Sequence, residues 1–194
     1  TTWEYTNDLG IKITDTAWSY TNYNLTPGQI YYFRAFATNA SGGDFADSAY
    51  SFIPGVIYVK PGGSDTDTGL SWGNAYQTVT NALAKCPVGF MIWVAEGTYT
   101  PGSTKATFFN IGSNTAYGGF DGTETNIVQR DWSNNVTILS GDLGGGNLCT
   151  QVVKKTVANW AILDGFTVTK GAATNAVNNE FGYGGGIYCD NGII

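Results

Sequence analysis

The sequence of 194 residues predicts an all-β chain in two parts, a piece of antiparallel sandwich over 1–54 and a stack of short parallel strands over 55–194. Three observations lead there. Only 12% of the residues are charged, while 27 are glycine and 14% aromatic, a balance that suits tight turns between well-filled strand faces. Short apolar runs recur along the chain, separated by Thr, Asn, Gly and Ser. A single stretch carries the spacing of an amphipathic helix.

In the first part, Tyr31-Tyr32-Phe33-Arg34-Ala35-Phe36-Ala37-Thr38-Asn39 alternates, with Tyr31, Phe33, Ala35 and Ala37 on one face and Tyr32, Arg34 and Phe36 on the other. That period predicts a half-buried antiparallel strand. A turn follows at Ser41-Gly42-Gly43, then a second strand at about Ala49 to Ile53. With the upstream run Leu25-Thr26-Pro27-Gly28-Gln29-Ile30-Tyr31, this pattern resembles the E-to-F corner and F strand of fibronectin type III domains, over about residues 18 to 54. The resemblance implies a fibronectin-III-like β-sandwich in which the Tyr31 hydroxyl turns back onto the corner backbone. The first strands of such a domain are missing, so the chain reads as an excerpt of a longer protein. Pro54-Gly55 is the expected boundary, because Pro stops a strand and Gly lets the chain turn.

The second part opens with Val56-Ile57-Tyr58-Val59 and a polar loop, Lys60 to Gly69. Ala75, Val79, Ala82, Leu83 and Cys86 fall at helical spacing, and Pro87 with Gly89 ends the segment. One helix in a β chain is expected to act as a lid on a stack that must bury its first layer. Apolar strands then begin near Ile92, Ala116, Val136, Ala161 and Gly186, roughly 20 to 25 residues apart, within the range of solenoid repeats. Ile92 and Val94, Ile138, Ile162, Phe166 and Val168, and Ile187 are expected to form one inward ladder.

Several of these runs carry a second resemblance. Ile57-Tyr58-Val59, Gly63-Ser64-Asp65, Gly69-Leu70-Ser71-Trp72, Ile92-Trp93-Val94-Ala95-Glu96-Gly97-Thr98-Tyr99, Tyr117-Gly118-Gly119-Phe120-Asp121-Gly122 and Leu163-Asp164-Gly165-Phe166 are similar to the N-terminal cap and first coils of right-handed parallel β-helix proteins. These are the pectate-lyase-like solenoids of bacterial surface and secreted proteins. Gly184-Gly185-Gly186-Ile187-Tyr188 resembles the repeat of polymorphic outer-membrane proteins. The resemblance spans about residues 56 to 192.

Composition narrows the function. A net charge of −6 with nine scattered Lys and Arg excludes a nucleic-acid partner that needs a basic stripe. No apolar run is long enough to span a bilayer as a helix. The absence of histidine removes Ser-His-Asp and Cys-His triads and HExxH zinc sites. Cys86, Cys149 and Cys189 are too few and too far apart for a scaffold or zinc knuckle, leaving buried free thiols or one disulfide between Cys149 and Cys189.

Candidate sites are few. Asp65 and Asp67 precede Gly69 in a polar loop and offer hard oxygen ligands for Ca²⁺; the same loop also reads as a solvated turn whose acids cap their own backbone. Glu96, Asp121, Glu124, Asp142 and Asp164 supply acids for glycoside hydrolysis, but they recur at coil corners, where carboxylates accept turn N–H bonds. Related β-helix lyases use a Lys or Arg base; Lys154, Lys155, Lys170 and Arg130 have the right type and no spacing singles one out. Trp72, Trp93, Trp132, Trp160 and Tyr183 are candidate sugar platforms, of which Trp132 and Tyr183 are the glycan-stacking choices. Asp15-Thr16-Ala17 and Asp47-Ser48-Ala49 resemble a bacterial surface O-glycosylation pattern, placing sugar on Thr16 and Ser48.

No complete catalytic constellation is legible. The expected function is that of a fragment of a secreted or cell-surface bacterial protein with a structural or adhesive role. Its expected partners are a polysaccharide or surface glycan, or further copies in a filament; no cofactor is required, and Ca²⁺ is the one the sequence could hold. The rival is the non-catalytic N-terminal part of a polysaccharide lyase or glycoside hydrolase.

Overall fold

The computed structural model describes residues 8, 10, 25, 31–52, 54–173, 184–190 and 193–194, and most of its regular structure is strand. In the first part, β1 (Tyr31–Phe33) pairs antiparallel with β4 (Tyr50–Phe52), and β2 (Phe36–Asn39) with β3 (Gly42–Phe45). The strand expected to run unbroken from Tyr31 to Asn39 is interrupted at Arg34-Ala35. There the Arg34 guanidinium turns over the Phe45 ring at 5.1 Å and its Nε donates to the Ala46 carbonyl. β4 lies where the second strand is expected, at about Ala49 to Ile53, and β3 is an added strand that starts at Gly42, where Asn39 Oδ1 accepts the Ser41 N–H at 2.8 Å and closes the turn. Residues 26–30 of the expected corner lie outside the described residues.

Beyond Pro54 the pairing changes character. β5 (Val56–Val59), β6 (Met91–Ala95), β9 (Thr115–Phe120) and β14 (Ile162–Asp164) form one parallel sheet. β7 (Gly97–Tyr99), β10 (Thr137–Ser140) and β15 (Phe166–Thr169) form a second. β8 (Phe109–Asn110), β13 (Val153–Lys155) and β16 (Ile187–Cys189) form a third. The chain visits the three sheets in the same order on each circuit: β6, β7, β8; then β9, β10, β13; then β14, β15, β16. Between β10 and β13 it makes a small antiparallel hairpin, β11 (Asp142–Gly144) with β12 (Asn147–Leu148).

This corrects the expected repeat. The apolar runs near Ile92, Ala116 and Ala161 begin successive circuits, but those near Val136 and Gly186 lie on other sheets of the second and third circuits, so the residues do not form one ladder. Ile92 faces Ala116, but Ala116 faces Leu163, so the second circuit is about twice the length of the first. Ile138 belongs to the second sheet, between Thr98 and Thr167, and Ile187 to the third, beside Val153. Evenly spaced hydrophobic runs therefore conflated different walls of one coil with different coils.

Three inward columns replace the single ladder: Ile57, Ile92, Ala116 and Leu163; Tyr99, Leu139 and Val168; Phe109, Val153 and Ile187. Ile92, Val94, Phe109, Leu139 and Val153 are at most 1% exposed, each contributing about 1.5–3 kcal/mol of burial. Helix α1 (Val79–Lys85) adds Val79, Ala82 and Leu83 to the same core and packs on β5, β6 and β8. It begins later than the spacing from Ala75 predicts, because Thr78 caps it, its Oγ1 accepting the Asn81 N–H at 3.2 Å. The outer edge of β5 is covered by residues 69–76: Tyr58 N–H donates to Gly69 O at 2.8 Å, Tyr76 N–H to Tyr58 O at 2.9 Å and Lys60 N–H to Tyr76 O at 3.0 Å. That covering satisfies strand groups otherwise open to pairing.

At the corner between the first and second sheets, backbones touch. Gly165 sits at φ +79°, and a Cβ there would lie 2.8 Å from the Gly118 carbonyl oxygen; a Cβ on Gly118 would lie 2.5 Å from the Gly165 oxygen. Glycine is required at both positions by contact, and at Gly165 by conformation as well. The second circuit holds one extra residue at this corner, so the register shifts between Trp93–Tyr117 and Ala95–Phe120. From this bulge the chain leaves on a long excursion, 121–136, before entering β10.

Candidate groove on the outer face of the first sheet

Strand alternation sends Tyr58, Trp93 and Tyr117 to the face opposite the inward columns, and the register stacks them, followed by Asp164. They build a second apolar cluster with Val56, Phe120 and Ile127, flanked by Trp72 and Ile162. Trp93 lies flat on Phe120, with ring centroids 4.7 Å apart and planes 12° from parallel. Trp72 meets Tyr58 edge-on at 4.7 Å and donates its indole N–H to Glu124 O at 2.9 Å. Trp72 and Trp93 therefore pack outside the coil, beneath the excursion, as building material rather than as platforms.

The excursion is held by its own polar groups. The buried Glu124 carboxylate accepts the Asp121 N–H at 2.6 Å and those of Gly122 and Thr123 at 3.1 Å. A short 3₁₀ turn, Ile127–Gln129, follows, with Asn126 and Gln129 forming a reciprocal capping box. It drives Ile127 into the outer cluster and delivers Arg130 over the sheet. Asp131 then closes the next turn by accepting from Ser133 and Asn134, the Asn134 amide at 2.6 Å. Those bonds, the Ser133 hydroxyl foremost, lower its carboxyl to about 2.

The result is an open groove of about 370 Å³, with Tyr117, Ile127 and Ile162 as floor, Val128 and Trp132 on the excursion side, and Arg130 and Asp164 as polar groups. The Arg130 guanidinium lies 4.9 Å from the Tyr117 ring centre and 5.3 Å from that of Trp132. Its Nη2 donates to Asp164 Oδ2 at 2.9 Å, while Nη1 is buried without a hydrogen-bond partner among the described residues. Tyr117 is 2% exposed and Trp132 is 60% exposed, so one ring is structural and the other faces solvent. Chemically the groove offers an indole face, a positioned cation and a half-exposed carboxylate.

Of the two residues expected to stack on a glycan, Trp132 falls in this groove, together with Arg130 and Asp164 from the wider set of candidate bases and acids. Tyr183 and Thr16 lie outside the described residues, and Ser48 is exposed. Trp160 is 74% exposed on β14's approach, where it bridges to Ile193. Asp65 accepts from the Gln77 N–H at 3.0 Å, the Thr78 N–H at 2.9 Å and the Thr78 hydroxyl at 2.7 Å, so both its carboxylate oxygens hold the start of α1. Asp67 is exposed beside it, and among the described residues no group of three Cys, Asp or Glu side chains is placed to hold a metal ion.

Three of the five acids read as corner groups behave so: Glu124 and Asp121 accept turn N–H bonds, and Asp142 accepts the Gly144 N–H at 2.9 Å and pairs with Lys170 at 2.7 Å, whereas Asp164 takes the Arg130 guanidinium. The cationic candidates are engaged as well. Lys155 is fully buried and donates to Gly112 O at 2.8 Å and Val157 O at 3.0 Å, while Lys154 lies between the Phe108 and Tyr188 rings. The three cysteines are unbridged; Cys149 is buried, Cys86 half-buried and Cys189 exposed, which corrects the expectation that all three are buried. The Arg130–Asp164 pair was not visible in the sequence; the nearest signal was the alternation of Arg130 and Trp132 in an otherwise polar loop.

No protein-family model, no curated protein and no solved structure matches the chain. Among the described residues no helix is long and apolar enough to cross a membrane.

Proposed function

We propose that the chain is the opening of a right-handed parallel β-helix, entered from the end of a fibronectin-III-like sandwich, and that it serves as a structural or adhesive scaffold at a bacterial surface or outside the cell. The observation that carries this reading is the repeated order of three parallel sheets over three successive circuits, with residues stacked in register. Stacking of that kind yields a stiff body that lengthens by about 4.8 Å per circuit and presents excursions on one side. Copies joining end to end into a filament would be a variant of the same role.

Small-angle scattering and electron microscopy of the native protein test it. A rod is the expected envelope, with surface labelling of intact cells by an antibody to the protein. A rounded envelope and a purely intracellular location would overturn the reading. The rival, a polysaccharide lyase or glycoside hydrolase, is favoured by the groove bearing Arg130 and Asp164 on a parallel sheet. Rising ultraviolet absorbance from unsaturated uronate ends, or release of reducing ends from polysaccharide, would establish it.

A further inference from the structure

We propose that the groove between Trp132 and Asp164 binds a neutral pyranose unit of a polysaccharide. The inference rests on the adhesive reading above and locates its contact with a glycan. A sugar ring has an apolar C–H face and a rim of hydroxyls, and the groove supplies a counterpart to each. Trp132, 60% exposed, offers an open indole face, and Ile162 and Val128 add apolar wall. At about 370 Å³ the groove is at the small end of ligand pockets, with room for a sugar ring or two.

Charge selects the class of sugar. Asp164 sits 2.9 Å from Arg130 and cancels its charge. A uronate or phosphate would have to displace that carboxylate from the cation, whereas a hydroxyl pair needs no displacement. Asp164 Oδ2 holds the guanidinium, which leaves Oδ1 of this half-exposed side chain to accept from one hydroxyl. Arg130 holds that carboxylate in place; its Nη1 is buried, with no hydrogen-bond partner among the described residues, and so leaves the sugar's hydroxyls to Asp164. The guanidinium already lies against Tyr117 and Trp132, so little ordering remains to oppose binding.

The full chain should be titrated with soluble β-glucan, mannan, galactan and xylan, and with polygalacturonate, by calorimetry and tryptophan fluorescence. Binding to at least one neutral polysaccharide is expected. Trp132→Ala should weaken it about tenfold or more. Trp160→Ala, an exposed indole outside the groove, should leave it unchanged. Asp164→Asn, which leaves Arg130 uncompensated, should bring in polygalacturonate binding that the wild type lacks. Denaturation midpoints show which variants retain the fold. No binding to any neutral polysaccharide, binding indifferent to Trp132→Ala in a folded variant, or a wild-type preference for polygalacturonate would each overturn the proposal. Scattering on the same samples separates the two readings: a rod that binds none removes the site alone, and a rounded body that binds removes the scaffold alone.

Discussion

Arg130, on the excursion of the second circuit, reaches Asp164 of the third at 2.9 Å and thereby ties two layers of the stack together. The partners contribute unequally. Asp164 is half exposed, so the ion pair itself is screened, whereas Arg130 is largely covered and lies against two rings. Arg130→Ala should cost about 1–3 kcal/mol in urea denaturation, from lost packing and cation–π contact. A double-mutant cycle with Asp164→Ala should return a coupling below about 1 kcal/mol. A coupling much larger than the loss on Arg130→Ala would show that charge, not packing, joins the layers.

The two glycines at the corner give a sharper test of the stacking. Gly118→Ala brings a methyl to 2.5 Å from the Gly165 oxygen, and Gly165→Ala adds an unfavourable φ to a similar clash. Each should destabilise by about 2 kcal/mol or more. Gly62→Ala, at a positive φ with open space around it, should cost only the backbone term, about 1 kcal/mol. Equal losses at all three positions would mean that the circuits do not touch at this corner.

Asp65 separates the capping role from the calcium one. Asp65→Ala should lower stability by about 1–2 kcal/mol through loss of the bonds to Gln77 and Thr78, equally in Ca²⁺ and in chelator. Asp67→Asn leaves those bonds intact and is the cleaner probe of metal. A rise in Tm with Ca²⁺ that Asp67→Asn abolishes would place the ion in the loop.

Asp131 titrates low in the folded chain, at about 2, held there first by the Ser133 hydroxyl and then by the Asn134 amide. Its native value is depressed below the unfolded one, so its contribution to stability is present above about pH 3.9 and lost as pH falls through about 2. Carbon-detected NMR of the side-chain carboxyl should find the low midpoint, and Ser133→Ala should move it upward. An unshifted midpoint in the wild type would remove this turn from any account of acid stability.

Thiol chemistry follows exposure. Burial pushes the Cys86 thiol up to about 11 and raises that of Cys149. Cys189, exposed on the third sheet, should therefore react with a disulfide reagent well before the other two. Mass spectrometry of the unreduced protein should find no Cys149–Cys189 bridge; its presence would mean that β12 and β16 approach more closely than the structure has them.

Local signals carried far in this chain. Alternation and turn chemistry are properties of neighbouring residues, so the predominance of strands, the helix ended by Pro87 and Gly89, and the role of corner acids such as Glu124 could be read directly. The number of strands per circuit could not. Val136 to Ser140 and Ala161 to Asp164 look alike as apolar runs, yet they lie on different sheets.

What the sequence determined by itself is thus the kind of segment at each place: which residues alternate and where the backbone must turn. Tertiary structure alone decided which segments meet. Asp164 reaches Arg130, and Gly118 touches Gly165, because circuits of unequal length return to the same corner. The physical reason is that parallel pairing joins residues separated by a whole circuit, and circuit length is set by excursions that leave no period in the chain.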